Sequence, residues 1–307
     1  MTIALNGGVG KTTTITWAAT DYAEHTDLSV LIVDADSGAR GKTAIRLLVD
    51  MSDESYNFNT VKDLILKEGW SPSSEELSTF LPRHEASGAR LLASSEEIFL
   101  TSHQTRKMIR KLRPASGAVF IDTTPGTKED NTRGAQQEAT IVSTVCLYDS
   151  DDLLHNINTM RDSENEQGGR FDRRLENGTL FIVVGDVPWR DFNRRTQYRL
   201  AAELNVPAKQ VVLLPRDKHV KRSGPVIQSA VSRRFRYAIS EYNRLLAEAA
   251  ARYNKESPLE NPRGLKKPSN DQRSIKRAVS QLVGLTGSPE AAAEHVWLEE
   301  LDVADRS

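Results

Sequence analysis

The sequence predicts an α/β protein with a mostly parallel, twisted sheet and helices on both of its faces. Two observations support this prediction. Short apolar runs bounded by turn residues recur along the chain, and most are continuous rather than alternating, as in strands that are buried on both faces. Segments with helical spacing lie between these runs, and strands that alternate with helices build parallel sheets.

Each element follows from its local pattern. The predicted strands are Ile3–Leu5, Val30–Val33, Arg90–Ala93, Ala118–Ile121, Ile141–Leu147, Leu180–Val184 and Val211–Leu214. The predicted helices are Thr12–His25, Gln104–Leu112, Leu153–Arg161, Phe192–Leu204 and Ser232–Tyr253. The last helix is the clearest, because Phe235, Ile239 and Tyr242 recur on one face. Residues 50–88 are rich in Ser, Asp, Glu and Pro, and we expect an irregular or helical excursion there.

Composition limits the kinds of protein that this chain can be. Hydrophobic residues make up 38% and charged residues 27% of the 307 residues, which is enough apolar material for a core. The single cysteine, Cys146, excludes a disulfide framework and a multi-cysteine metal site, and we expect it in the core. We interpret 1–253 as one domain, and 254–307, which opens with a Pro- and Lys-rich stretch, as a linker and C-terminal helical tail.

The loop between the first strand and the first helix has the composition of a phosphate cradle. Its glycines let backbone N–H groups face phosphate oxygens, and the helix N-terminus adds partial positive charge. We expect Lys11 to reach the β- and γ-phosphates and the Thr12 hydroxyl to bind Mg²⁺. The predicted nucleotide-binding residues of this loop are Asn6, Gly7, Gly8, Val9, Gly10, Lys11, Thr12 and Thr13. The alternative is a glycine-rich turn that binds nothing, which the Gly-Lys-Thr sequence in a strand–loop–helix context disfavours.

Two other predicted strands end in aspartates. Asp34 and Asp36 end the second strand, and Asp122 ends the fourth, ahead of Gly126. Ligands of open α/β sheets bind at the carboxyl ends of the strands, so these carboxylates are candidates for metal binding and for positioning water. Either aspartate of the first pair, taken alone, is equally explained as a turn or helix cap.

Together these three motifs resemble those of the ParA/MinD family of ATPases. The sequence Gly-Gly-Val-Gly-Lys-Thr-Thr at 7–13 is similar to their deviant Walker A motif, 34–36 to their switch I, and 122–126 to their Walker B and switch II. The resemblance implies a P-loop NTPase fold, ATP and Mg²⁺ as ligands, Thr12 and Asp122 at the metal, and Lys11, Asp36 and Asp122 as catalytic residues, with Asp36 orienting water.

Two further features come from the same resemblance. The family has a signature lysine that reaches the partner's phosphates across an ATP-bound dimer, and Asn6 stands in its place here. The loops after the sixth and seventh predicted strands resemble the base-side loops of the family, which implies that Asp186, Pro215 and Arg216 lie near the nucleotide base.

The net charge of −1 conceals a strongly basic segment. Residues 186–236 contain 12 basic and 4 acidic residues, a net charge of +8. In the ParA proteins this part of the chain binds DNA without sequence specificity, and phosphate neutralisation supplies such affinity. The candidate DNA-binding residues are Arg190, Arg194, Arg195, Lys218, Lys221, Arg222, Arg233, Arg234 and Arg236. The alternative is a solvated surface without a ligand.

The leading hypothesis is a ParA-like, partner-stimulated, slow ATPase. The resemblance implies a homodimer that forms on ATP binding, nonspecific DNA, a ParB-like adaptor and a cytoplasmic, nucleoid-associated location, with segregation of a plasmid, chromosome or other cargo as its task. Two alternatives stay open: a MinD-like positioning ATPase at a membrane, and a nucleotide-binding scaffold with little turnover, to which Asn6 points.

Overall fold

A computed structural model describes residues 1–36, 67, 69, 71–92, 100–126, 129–148, 153–166, 170–221 and 231–256. Within these residues seven strands form one sheet in the order β3-β2-β4-β1-β5-β6-β7, and every neighbouring pair is parallel. The strands are Thr2–Ile3 (β1), Val30–Ala35 (β2), Arg90–Leu92 (β3), Ala118–Thr123 (β4), Val142–Leu147 (β5), Leu180–Val187 (β6) and Val211–Pro215 (β7). The predicted strands and the predicted parallel sheet are confirmed.

Helices connect the strands. They are Lys11–His25 (α1), Ser74–Phe80 (α2), Ser102–Leu112 (α3), Asp130–Glu138 (α4), Leu153–Glu166 (α5), Arg170–Glu176 (α6), Arg194–Leu204 (α7), Lys218–Lys221 (α8) and Arg233–Glu256 (α9). The five predicted helices are confirmed as α1, α3, α5, α7 and α9, whereas α4, α6 and α8 were not predicted. α2 lies in the expected excursion and begins with a capping box, in which Ser73 and Glu76 each bind the other's backbone N–H.

Both faces of the sheet are buried. Along β2, Val30 and Ile32 pack on the side of α1 and α9, together with Trp17, Phe235 and Tyr242. Leu31 and Val33, the residues between them, pack on the opposite side with α3. This alternation explains why the strands are continuously apolar in sequence, since a strand between two helical layers has no solvent face.

The strand order places the acidic strand ends together. β1 lies between β4 and β5, and the chain passes from one side of β1 to the other after β4, which makes β1 the topological switch point. In the register of β2 and β4, Asp34 lies opposite Asp122, and Thr2 of β1 also lies opposite Asp122. Two buried carboxylates, those of Asp34 and Asp122, therefore lie close together beside the loop that follows β1.

The C-terminal part of the chain lies largely outside the described residues. α9 runs to Glu256, so the proposed boundary near residue 253 stays a prediction, and 257–307 are not described. None of the described helices is long and apolar enough to cross a membrane.

Candidate functional site

The phosphate-binding loop of the prediction is a sharp turn between β1 and α1. Gly8 and Gly10 have φ angles of +77° and +92°, a left-handed conformation that L-residues other than glycine rarely adopt. The Thr14 amide donates to the Gly10 carbonyl at 2.8 Å, which starts α1 directly behind the loop. Asn6 is exposed at the beginning of the turn. The turn thus leads backbone N–H groups into a helix N-terminus, the geometry that favours an anion.

Side chains from three elements converge on Asp122. This carboxylate is fully buried, and the Thr12 hydroxyl donates to its Oδ2. The Thr2 hydroxyl donates to Oδ1 at 3.3 Å, and Lys11 Nζ lies 3.9 Å from the same oxygen. Burial raises the pKa of Asp122, and the opposing effects of Lys11 and Thr12 favour its ionised form. Predicted residues Lys11, Thr12 and Asp122 are therefore brought into one cluster.

Asp34 supplies the second carboxylate of this cluster. Its Oδ1 accepts the Asp36 amide at 3.1 Å, but its buried Oδ2 has no hydrogen-bond partner among the described residues. Burial, and then the neighbouring Asp122, raise the pKa of Asp34 to about 8. A buried carboxylate oxygen without a partner, beside a second carboxylate and a hydroxyl, fits a hard divalent cation, which binds oxygen ligands.

The loop after β4 contacts the phosphate loop. The Gly126 amide donates to the Ala4 carbonyl at 2.8 Å, and a Cβ on Gly7 would lie 3.7 Å from Pro125 Cγ. Gly126 has a φ angle of +99°, so this contact also depends on a residue without a side chain. The segment 122–126, which resembles switch II, therefore contacts the glycine turn between β1 and α1.

The sequence interpretation missed Asn131, which lies in the first turn of α4 and is 6% exposed. Its side-chain NH₂ donates to the Ala35 carbonyl at the end of β2 and to the Thr124 hydroxyl after β4, the latter at 2.9 Å. Both acidic segments thus share one amide. In the sequence, Asn131 follows the polar residues Lys-Glu-Asp, so no apolar periodicity indicated a helix there.

The residues that were predicted to lie near the nucleotide base come from β6 and the end of β7, and the structure brings them together. Arg216 forms two parallel bonds with Asp186, from Nε to Oδ1 at 3.1 Å and from Nη2 to Oδ2 at 3.0 Å. Asp186 has a φ angle of +60°, and the Arg216 amide donates to the Val187 carbonyl at 2.7 Å. Pro215 ends β7 beside them. The three residues therefore form one rigid corner at the same edge of the sheet as Asp34 and Asp122.

Within the basic segment, arginines cluster around the N-terminal ends of two helices, α7 and α9. The Arg234 guanidinium lies 5.2 Å from the centre of the Trp189 ring, which joins the segment before α7 to the start of α9. The Asp217 carboxylate accepts the His219 amide at 2.9 Å and the Ser232 amide at 2.8 Å. Although burial opposes it, these backbone donors hold the pKa of Asp217 below its usual value. Asp217 thereby fixes the start of α9 against the end of β7.

Most candidate DNA-binding residues are exposed. The Arg190 side chain is 87% exposed and lies 3.5 Å from Asp191, whereas Arg234 is half-buried against Trp189. Several other basic residues are exposed and have no ion pair within the described part of the chain: Arg194, Arg195, Lys218, Arg233 and Arg236. Lys221 ends α8, and Arg222 lies outside the described residues. We call the following residues the basic surface: Arg190, Arg194, Arg195, Lys218, Arg233, Arg234 and Arg236.

Two other features concern the thiol and the possible metal ligands of the chain. Cys146 is buried in β5, and burial raises the pKa of its thiol to about 12, so the prediction of an unreactive core residue agrees with its environment. In the described part of the chain, no group of three or more His, Cys, Asp or Glu side chains is arranged to hold a metal alone. A cation at Asp122 would therefore need oxygen ligands from a bound molecule or water.

No protein-family model matches the chain, and no curated protein sequence matches it. Solved structures do match its fold. MinD in the MinC:MinD complex of Aquifex aeolicus matches with a TM-score of 0.58 and 17% identity, covering 80% of this chain and 94% of the other. A ParA family ATPase from Chlorobium tepidum also reaches 0.58, with 13% identity and coverage of 78% and 96%.

A third match is the septum site-determining protein MinD of Pyrococcus horikoshii, in complex with Mg-ADP. Its TM-score is 0.57 and its identity 14%, and the match covers 82% of this chain and 96% of the other. At such low identities the similarity establishes the fold. The chain has the α/β fold of the ParA and MinD P-loop ATPases, as the three sequence motifs predicted.

Proposed function

We propose that the chain is a Mg²⁺-dependent ATPase of the ParA/MinD type. The observation that carries this proposal is the convergence of Lys11, Thr12 and Asp122 at the switch point of the sheet, beside Asp34, whose Oδ2 has no hydrogen-bond partner within the described ranges. A glycine turn, a helix N-terminus and a buried lysine suit polyphosphate, and two carboxylates with a hydroxyl suit the accompanying cation. The Mg-ADP held by the Pyrococcus horikoshii protein, which has the same fold, supports this assignment.

The chain's own residues would act by positioning. The N–H groups of 7–13 would hold the phosphates, and Lys11 would turn its ammonium from Asp122 toward a phosphate oxygen. Thr12 and Asp122 would hold Mg²⁺, which supplies charge neutralisation of the transferred phosphoryl group. Asp36 would orient the attacking water by accepting its hydrogen bond. Asp186, Pro215 and Arg216 would border the base.

The proposal includes a homodimer that forms on ATP binding. Asn6 is exposed at the first position of the turn, where the family has its signature lysine. Asparagine donates a hydrogen bond without a charge, so we expect a dimer that is less tightly coupled to the γ-phosphate than in relatives with lysine. Slow turnover that a partner stimulates is part of the same proposal.

The basic surface is proposed to bind DNA without sequence specificity. Its exposed guanidinium and ammonium groups would replace the counterions of the phosphate backbone, which gives affinity that falls steeply with salt. In the cell this arrangement would serve segregation of a plasmid, chromosome or other cargo together with a ParB-like DNA-binding adaptor, in a nucleoid-associated, cytoplasmic location.

A MinD-like positioning ATPase at a membrane is the second candidate, because MinD and ParA structures match this fold with the same TM-score of 0.58. Cosedimentation of the full chain with ATP separates the two. Salt-sensitive pelleting with duplex DNA supports the ParA-like function. Pelleting with phosphatidylglycerol–phosphatidylethanolamine vesicles, without DNA binding, supports the MinD-like one.

Hydrolysis is tested by comparing the wild type with Asp36→Ala in the presence of Mg-ATP and DNA. We expect the variant to lose at least about 100-fold in rate while it retains ATP binding, since it removes a group that acts on the water. Asp162→Ala, which removes an exposed carboxylate of α5, is the matched control and should hydrolyse ATP normally. If neither protein hydrolyses ATP above background, the low-turnover scaffold is favoured, whereas equal rates well above background would contradict the role of Asp36.

A further inference from the structure

Asn131 lies where the two acidic segments approach each other. The carbonyl of Ala35 and the hydroxyl of Thr124 both accept hydrogen bonds from its NH₂ group. Ala35 separates Asp34 from Asp36, and Thr124 follows Asp122 by two residues. One buried side chain of α4 therefore holds the end of β2 and the loop after β4 at the same time.

The orientation of the Asn131 amide is fixed by its surroundings. Its Oδ1 accepts the Thr132 amide at 2.7 Å, and the Thr132 hydroxyl donates to the Thr124 carbonyl at 3.0 Å. A reversed amide would place its oxygen against the Ala35 carbonyl, another acceptor, and its NH₂ against an N–H donor. The NH₂ group therefore has to face the two acidic segments.

The contacts continue to the phosphate loop. Thr124 is followed by Pro125, which lies beside Gly7, and by Gly126, which donates to the Ala4 carbonyl. A movement of the phosphate loop can thus pass through 124–126 to Asn131, and from its amide to the backbone that carries Asp36. The hydrogen bonds of this route, from Gly126 to Ala4 and from Asn131 to Thr124 and Ala35, join buried or half-buried residues, and Pro125 adds a packing contact at the exposed Gly7.

Other contacts of α4 hold the helix itself. A Cβ on Gly134 would lie 2.5 Å from the Ser102 carbonyl oxygen, so α4 and α3 pack closely there. The Gln136 side chain donates to Glu164 of α5 at 3.0 Å. α4 is therefore a fixed support, and the Asn131 side chain is the part that reaches the acidic segments.

We propose that Asn131 is a positioning residue that makes the two acidic segments respond together to the γ-phosphate. The inference rests on the proposed ATPase function, and it adds a residue that acts through Asp36 and the 124–126 loop without touching the nucleotide. Without its NH₂ group, the Ala35 carbonyl and the Thr124 hydroxyl lose their common donor, and each segment can move independently.

The test compares the full-length wild type with Asn131→Ala. Hydrolysis of Mg-ATP in the presence of DNA, and affinities for ADP and for a nonhydrolysable ATP analogue, are measured. We expect about a 10- to 100-fold lower hydrolysis rate and an ADP affinity within about threefold of wild type, since the phosphate loop is intact. The ratio of the two affinities should fall toward one, because the variant no longer couples the γ-phosphate to both segments.

Two further variants separate positioning from stability. Thr124→Val removes only one of the two acceptors, so a smaller loss is expected, and the double variant with Asn131→Ala should be no worse than Asn131→Ala alone. Gln136→Ala is the matched control, because it removes another buried amide of α4 that faces α5 instead. It should lower the melting temperature to a similar extent and leave the affinity ratio unchanged.

The possible results distinguish the two levels of the argument. If Asn131→Ala hydrolyses ATP as the wild type does, or if Gln136→Ala changes the affinity ratio equally, the positioning role is wrong while the ATPase stands. If the wild type binds no nucleotide, the proposed function is wrong, and the inference with it.

Discussion

The proposed nucleotide site and the basic surface differ in how far their charged groups are exposed to water. At the site, Lys11 has a side chain that is 6% exposed, and Asp34 and Asp122 are fully buried. On the basic surface, Arg190 is 87% exposed. Buried charges interact strongly at short range because little water screens them, whereas exposed charges are screened over about 8 to 10 Å by physiological salt.

This difference predicts how each region responds to substitution. In the site, the effect of a charge depends on its position, so a single replacement should be severe. On the basic surface, the effect depends on the number of charges, so single replacements should be mild and groups of them additive. The following predictions test this contrast from the largest expected effect to the smallest.

Lys11→Ala should have the largest effect. Removal of the buried ammonium leaves Asp122 without its cation and the phosphates without their lysine, so we expect ATP affinity to fall at least about 100-fold. Titration with a fluorescent ATP analogue measures the loss, and Lys107→Ala on α3 provides a lysine control outside the loop. Retention of affinity within about threefold would contradict the assignment of the phosphate loop.

Replacement of Arg233, Arg234 and Arg236 together by alanine should weaken DNA binding about 10- to 100-fold near 100 mM salt. The slope of log K against log salt should become shallower by about 2 to 3, in proportion to the phosphate contacts that are lost. The matched control replaces the exposed Arg83, Arg110 and Arg252, which changes the net charge equally. Equal losses in both triple variants would show that only total charge matters.

The pH dependence of stability should reveal Asp34. Its pKa is raised to about 8 in the folded protein, by burial first and by Asp122 and Asp36 next, with Lys11 opposing them. The folded state therefore holds a proton that the unfolded state releases near pH 4, so this carboxyl lowers stability progressively as pH rises from about 4 to about 8 and causes no further loss above that.

For this measurement, denaturant unfolding of nucleotide-free wild type and Asp34→Asn is compared at pH 6 and pH 9. We expect the wild type to lose about 2 kcal/mol more than the variant, because the amide does not titrate. Parallel pH profiles would mean that Asp34 is ionised in the folded state at neutral pH.

Trp189→Ala should have the smallest effect. Its ring supports the half-buried Arg234 through a cation–π contact, which contributes about 0.5 to 1 kcal/mol at exposed sites, so DNA affinity should fall about threefold. Trp189→Phe keeps an aromatic ring, so its DNA affinity should lie between those of the wild type and Trp189→Ala. A loss of DNA affinity as large as that of the triple arginine variant would indicate that Trp189 itself contacts DNA. It would contradict the prediction that affinity depends only on the number of charges.

The sequence predicted the parts of the fold that depend on local pattern. Continuous apolar runs identified the strands, and the glycine turn with Lys11 and Thr12 identified the loop, because both require particular residues at fixed spacing. The aspartates at 34, 36 and 122 were found for the same reason, since parallel strands bring their carboxyl ends to one edge.

Features that depend on the register of distant strands were not predictable. Asp34 lies opposite Asp122 because of the register of β2 and β4, which no local pattern encodes. The same holds for Asn131, whose two acceptors lie at the end of β2 and in the loop after β4, and for the Arg216–Asp186 pair, in which an exposed arginine of the basic segment forms an ion pair. Sequence also could not show that Trp189 joins the segment before α7 to the start of α9.

The position of β1 has a consequence for how the chain folds. Thr2 and Ile3 pair with strands that lie about 120 to 140 residues further along, so the first strand has no sheet neighbour until β4 and β5 have been synthesised. Contacts between residues so far apart close large loops and form slowly. The glycine turn that follows β1 is therefore expected to acquire its shape late in folding, because a chain that ends before residue 118 contains neither of the strands that pair with β1.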